Sequence, residues 1–161
     1  MNPDSLARVA RSRPERPAVW WRHGWISYGE LYSRARHVAG MLAGIGVRAG
    51  DRVGIISRNH IAYFDLLFAA PLLGFIFVPF DPGSSVGELR VLHRGARPKV
   101  LFHGRGLSEV ARSMDAEALP LETLQEGPEA NPSGQLVGTD DPADPHNLYW
   151  KLAGKEREEH E

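Results

Sequence analysis

The chain contains no cysteine. Disulfides, iron–sulfur clusters, thiolate zinc sites and cysteine nucleophiles are excluded together, and the composition suits the cytoplasm, the expected location. Long apolar runs are also scarce. The longest, Leu66 to Phe80, has 15 residues between Asp65 and Asp81 and is interrupted by Pro71, Gly74 and Pro79. A bilayer span needs ~20, so no transmembrane segment is expected. The start, Met1-Asn2-Pro3-Asp4, lacks the basic-then-apolar pattern of a secretory signal. Metal-ligand spacing is missing too. None of the seven histidines (His23, His37, His60, His93, His103, His146, His160) forms an H-x-x-x-H or H-E-x-x-H pair.

Charge of one sign is absent from a whole segment. Residues 115–147 carry 8 acids and no base, whereas residues 1–114 carry 16 Lys and Arg against 8 acids, a balance of +8. The arginines are scattered singly among apolar periodic segments. That pattern reads as solvated helix faces, and no nucleic-acid partner is expected. At 161 residues, 42% hydrophobic and 24% charged, the chain has the composition of one packed domain.

The apolar spacing supplies the elements. A first helix runs from Asp4 to about Arg13, with Leu6, Val9 and Ala10 on one face, and Pro14 and Pro17 stop it. Ala18–Arg22 and Trp25-Ile26, around a His23-Gly24 turn, read as a short β-hairpin whose alternation buries some of Trp20, Trp21 and Trp25. Ser27-Tyr28-Gly29-Glu30 fits a capping box. The helix after it places Leu31, Ala35, Val38, Ala39, Leu42 and Ile45 inward and Arg34, Arg36 and His37 outward, and ends at Gly46. Strands follow at 53–56, 75–78 and 100–102, separated by helices at 60–73, capped by Asn59, and from Ser84 or Ser85 to about 95. Near-continuous apolar strands imply helices on both faces. A short helix at 107–114 and an edge strand at 118–121 complete the pattern. The fold class is therefore α/β: a parallel βαβαβ sheet with helices on both faces, plus an N-terminal helix and short β-hairpin. Residues 1–125 form this unit, 126–147 an acidic Gly/Pro-rich loop, and 148–161 a brief apolar return, Leu148-Tyr149-Trp150, with a charged tail.

Motifs for chemistry are thin. Gly44, Gly46 and Gly50 follow a helix and precede a strand, the reverse of a phosphate cradle. Gly104-Arg105-Gly106 does lie between strand and helix, but Glu109 stands where a small residue is needed. Asp140-Asp141 falls in the loop, where solvation accounts for it. No nucleophile elbow is expected from the Ser, His and Asp residues. No catalytic, cofactor-binding or metal-binding residue is assigned.

In order, these segments resemble the N-terminal region of the AMP-binding, or adenylate-forming, acyl-CoA synthetases. The opening helix with Arg13-Pro14-Glu15-Arg16-Pro17-Ala18-Val19 is similar to the family's beginning. Ser27-Tyr28-Gly29-Glu30-Leu31 matches [ST]-Y-x-E-L, and Gly46-Val47-Arg48-Ala49-Gly50-Asp51-Arg52-Val53 matches G-V-x-x-G-D-x-V. Asn59, the Leu66–Gly74 segment with Val78-Pro79-Phe80-Asp81-Pro82, and Arg97-Pro98-Lys99-Val100-Leu101 continue the likeness. It covers roughly residues 3 to 104 and extends more loosely to Tyr149. Asn59 to Gly74 is most similar to the medium- and long-chain fatty acyl ligases.

The resemblance implies a two-step chemistry for the full-length family: a carboxylate attacks ATP to give an acyl-adenylate, and a thiol, usually of CoA, then takes the acyl group. ATP, Mg²⁺ and CoA are the implied cofactors of that family, and none is expected for this chain alone. The family's phosphate loop, [ST]-G-[ST]-T-G-x-P-K-G, belongs after Leu148-Tyr149, where this chain reads Trp150-Lys151-Leu152-Ala153-Gly154-Lys155-Glu156. Gly154-Lys155 lacks the small residues that let backbone amides converge. The expectation is an N-terminal fragment of a synthetase, inactive alone, partnered by a separate chain carrying the remainder or by a second copy through exposed apolar surface. The alternative is a non-catalytic binding module derived from the family.

Overall fold

The computed structural model describes residues 4–115 and 117–124. Helix α1 (Asp4–Ser12) buries Leu6, Ala7 and Ala10 while Arg8 and Arg11 face solvent. Strands β1 (Pro17–Trp21) and β2 (Gly24–Ser27) form an antiparallel hairpin. Its turn is Arg22-His23, one residue earlier than the sequence suggested. Trp21 pairs with Gly24, which draws Gly24 into the ladder, and Arg22 takes the left-handed conformation at φ 55°. Val19 and Ile26 pack against the core. Of the three tryptophans, Trp21 is half-buried, while Trp20 and Trp25, opposite each other on the outer face, stay exposed.

Helix α2 (Tyr28–Gly44) begins in the expected capping box. The Glu30 amide donates to Ser27 Oγ at 3.2 Å and the Ser27 amide to Glu30 Oε2 at 3.1 Å. It ends with Gly46 at φ 92°, the left-handed position a helix stop requires of glycine. Leu31, Tyr32, Ala35, Val38, Ala39 and Leu42 are buried. Ile45, placed on the same stripe by spacing, is exposed instead. It is the C-cap, where the chain turns toward Gly46 and the stripe ends.

Four strands, β3 (Arg52–Ile56), β4 (Ile76–Phe80), β5 (Val100–His103) and β6 (Leu119–Pro120), make one parallel sheet in the order β4-β3-β5-β6. Side-chain alternation splits the core in two. Val53, Ile55, Val100 and Phe102 meet α1, α2 and α3 (Ala62–Leu73). Ile56, Leu101 and Phe80 meet Leu89 of α4 (Val86–Ala96) and Ala111 of α5 (Ser108–Met114). Gly54 lies between the layers' contacts: a Cβ there would stand 2.9 Å from Leu101 Cδ1. A short 3₁₀ turn, Leu121–Leu124, returns Leu121 and Leu124 to the first core.

The apolar run at 75–80 is not a strand buried on both faces. Because the chain crosses β3 between β4 and β5, β4 is left at the sheet edge, and Ile76 is 48% exposed. Each outer strand carries a proline, Pro79 or Pro120, a residue confined to such positions because it cannot donate to a ladder.

Helices α2 and α3 are joined by an ion pair the sequence did not reveal. Arg34, expected to face solvent, donates through Nε to Asp65 Oδ1 at 2.7 Å and through Nη2 to Asp65 Oδ2 at 2.6 Å. Asp65 is only 1% exposed. Removing the guanidinium strands a buried carboxylate, so Arg34→Ala should lower stability by about 2–3 kcal/mol, toward the lower end of such losses because Arg34 is itself partly solvated. In urea titrations, Arg34→Met with Asp65→Leu should recover much of that loss. A single variant as stable as the parent would contradict the pairing.

Candidate functional site

Open α/β sheets bind ligands outside the carboxyl ends of their strands, where successive connections leave toward opposite faces. Here that point lies between β3 and β5: β3 feeds α3 on one face and β5 feeds α5 on the other. The residues there are Ser57, His60, Tyr63, His103 and Gly104. Tyr63 Oη donates to the Ser57 carbonyl at 2.7 Å. Burial pushes the Tyr63 hydroxyl up from its ordinary value, against the opposing effect of that hydrogen bond. The cap expected at Asn59 falls on Ile61, which offers no side-chain bond, and Asn59 is exposed; His60 Nδ1 accepts from the Ala62 amide at 3.1 Å. The Trp21 ring lies edge-on to His60, with centroids 5.4 Å apart. Burial, then the Arg22 charge, lowers the His60 pKa below 6.5.

His103 is buried at the end of β5. Its Nδ1 lies 3.3 Å from the Gly104 carbonyl, and its Nε2 has no partner among the described residues. Gly104 is held against Ser57 so closely that a Cβ would fall 2.2 Å from Ser57 Oγ. Here glycine permits close backbone approach between two strand ends rather than a phosphate contact. Gly106, at φ 77°, turns the chain into α5, a helix of 7 residues.

The other motif-like residues are committed to turns. Asp51 Oδ2 accepts from the Arg48 amide at 2.8 Å and from Lys99 Nζ at 2.9 Å, and Lys99 Nζ also donates to the Gly46 carbonyl at 2.6 Å. Lys99 and the Arg48 amide together hold the Asp51 carboxyl below its ordinary range. Gly50, at φ 84°, donates its amide to the Gly74 carbonyl at 2.8 Å. Asp81 Oδ1 accepts from the Gly83 amide at 2.8 Å. Gly83-Ser84-Ser85-Val86-Gly87 has the G-x-S-x-G spelling of a nucleophile elbow and sits between a strand and a helix. Ser85 nevertheless has extended, unstrained backbone (φ −64°, ψ 152°), and its hydroxyl donates to Glu88 Oε2 at 2.8 Å in a second capping box. It caps a helix.

Among the described residues, no three His, Asp or Glu side chains gather where a metal ion would be held. Neither glycine cluster presents a cradle of amides at a helix start. Asp140-Asp141, Leu148-Tyr149, Trp150 and Gly154-Lys155, with the expected divisions 126–147 and 148–161, lie outside the described residues.

A doubly wound parallel sheet with a hairpin-bearing N-terminal extension defines an α/β subdomain. Residues 6–160 match the sequence profile of AMP-binding enzymes, and the chain belongs to that family. It corresponds to a short N-terminal portion of it. It is 35% identical over 136 residues to a feruloyl-CoA synthase of Amycolatopsis, covering 83% of this chain and 26% of that one. A long-chain-fatty-acid–CoA ligase of Thermus thermophilus is 30% identical over 111 residues, 69% of this chain and 20% of the ligase. The chain thus spans about a quarter or less of these relatives. Among solved structures, VinN superposes with a TM-score of 0.73 at 20% identity (88% of this chain, 38% of VinN). O-succinylbenzoate CoA synthetase of Bacillus subtilis does so at 0.67 and 22% (77% and 33%). These likenesses establish the fold, that of the N-terminal domains of adenylate-forming enzymes.

Two outcomes follow from the strand-end geometry. Gly104→Ala should cost about 1–3 kcal/mol through overpacking against Ser57, and Ser57→Gly should restore part of it. An equal loss with and without Ser57 would contradict the contact. For His60 the depressed folded pKa means that the unfolded chain binds more protons between the two values. Stability is therefore fully present above pH 6.5 and falls as the pH drops through that range. Urea midpoints at pH 7 and pH 5 should fall more for the parent than for His60→Asn, which keeps a side-chain acceptor.

Proposed function

We propose that this chain is the scaffold portion of an ATP-dependent acid–thiol ligase that activates an apolar carboxylic acid as its adenylate and passes it to a thiol. The scaffold itself performs no turnover. The observation that carries the reading is how the polar residues of the family-like segments are used. Ser27, Asp51, Asp81, Ser85 and Lys99 each bond to a turn, a cap or a neighbouring backbone group. None is left to meet a substrate. The relatives are named for feruloyl-CoA and for long-chain fatty acids, and both of those acids have a hydrocarbon framework beyond the carboxyl. That common feature, with the likeness of Asn59–Gly74 to fatty acyl ligases, supports the substrate class.

A second reading is favoured by one surface. Phe64 and Phe68 stack at 6.4 Å on α3, and Ile76 is exposed on the edge strand β4. Apolar surface next to an unpaired strand suits a module completed by another chain that carries the remaining catalytic parts.

The deciding assay is pyrophosphate release by the full 161-residue chain with ATP, Mg²⁺, CoA and a panel containing ferulate and long-chain fatty acids. No release above the uncatalysed background is expected. Turnover would overturn the scaffold reading. A strictly monomeric chain by light scattering, unchanged by addition of the remainder of a related synthetase, would overturn the second.

A further inference from the structure

The β1–β2 hairpin is fastened by one face and offers the other. Val19 and Ile26 pack on the core and Trp21 rests on His60, whereas Trp20 and Trp25 are 56% and 60% exposed. The two exposed rings support each other edge to face, with centroids 5.4 Å apart at 75°. Together they set two adjacent indole rings in contact with water. The rim is basic. Residues 4–30 contain Arg8, Arg11, Arg13, Arg16 and Arg22 against three acids, Asp4, Glu15 and Glu30. All five arginines are exposed. Arg16 stands at the hairpin's base, where its carbonyl accepts from the Tyr28 amide at 3.0 Å, roughly 13 Å from Trp20 along a strand, whereas the Arg22 guanidinium at the tip lies over the Trp21 ring at 5.7 Å.

We propose that this Trp-and-Arg hairpin face is a docking surface for an anionic lipid bilayer, bound at headgroup depth. Indole rings, apolar with one polar edge, favour that depth, and arginines beside them draw the surface to negatively charged headgroups. Charge complementarity selects this occupant. Perpendicular rings suit it better than nucleic acid, since they do not provide two parallel platforms for successive bases. The attachment is peripheral: no helix among the described residues is long and apolar enough to cross a membrane. The inference does not depend on the enzymatic reading.

The test is co-sedimentation of the full chain with vesicles of phosphatidylcholine alone or with about 30% phosphatidylserine, at low salt. Binding to the anionic vesicles should be at least about tenfold stronger and should weaken as salt screens the arginines. Trp20→Ser with Trp25→Ser should reduce it about tenfold, and Arg13→Gln with Arg16→Gln should remove the preference for anionic lipid, both with unchanged far-ultraviolet circular dichroism. Should the tryptophan variant fail to fold, the arginine variant and quenching of parent fluorescence by brominated lipid carry the same test. Absence of vesicle binding, equal binding by parent and variants, or binding of a single-stranded oligonucleotide in place of vesicles would overturn the proposal.

Discussion

The paired contacts of Arg34 with Asp65 set the relation between the two helices that cover one face of the sheet. A carboxylate 1% exposed has no water to solvate it, so a single arrangement of α2 and α3 satisfies it: the one that brings the guanidinium within hydrogen-bond range of both oxygens. Sliding or rotating either helix breaks both contacts at once. The apolar interface of Leu31, Ala35, Leu42, Leu66 and Ala69 would tolerate a small shift; the ion pair would not. Its main contribution is therefore register rather than net stability, since desolvating both ions offsets much of their attraction. With α3 held in place, β3 and β4 are fixed at its two ends, and the sheet edge lies where it does.

A second constraint works at the opposite end of the strands. Asp51 and Lys99 tie the turn after α2 to the approach to β5, across 48 residues of sequence. Lys99 reaches the Gly46 carbonyl as well, and the Lys99 amide donates to the Arg52 carbonyl at 2.7 Å. This gives the G-V-x-x-G-D-x-V segment a structural explanation. Its glycines supply left-handed backbone at 46 and 50, and its aspartate anchors the turn to a neighbouring strand. A motif of this kind shapes a turn that the family-like sequence shares.

Local features were legible where local physics decides them. The Ser27 capping box follows from a Ser with Glu three residues on, and the glycine stop at Gly46 from the end of an apolar stripe; the start left between Ser84 and Ser85 falls at Ser85, whose box with Glu88 has the same spacing. The strands expected at 53–56, 75–78 and 100–102 from short apolar runs at regular spacing lie at 52–56, 76–80 and 100–103. The errors cluster where a neighbour distant in sequence intervenes. Arg34 looked like an outer-face charge because its partner is 31 residues away. Asn59 looked like the cap of α3, yet the cap position falls on Ile61, and it is His60, with Trp21 of the hairpin against its ring, that accepts from the first helical amide. At the strand ends, nothing in the spacing of Ser57 and Gly104 announces that they touch, and burial of His103 depends on which elements cover β5.

Periodicity and capping chemistry thus determined by themselves that this protein is a parallel α/β unit preceded by a helix and hairpin, because each element answers to residues within a turn or two of itself. Tertiary structure alone decided strand order. Crossing β3 on the way to β5 left β4 at an edge and turned an apolar run from core into partly exposed surface. It also decided which tryptophans face water. Alternation along a two-stranded hairpin says that two faces differ, but which face meets the core is set by the helix and sheet packed beneath it.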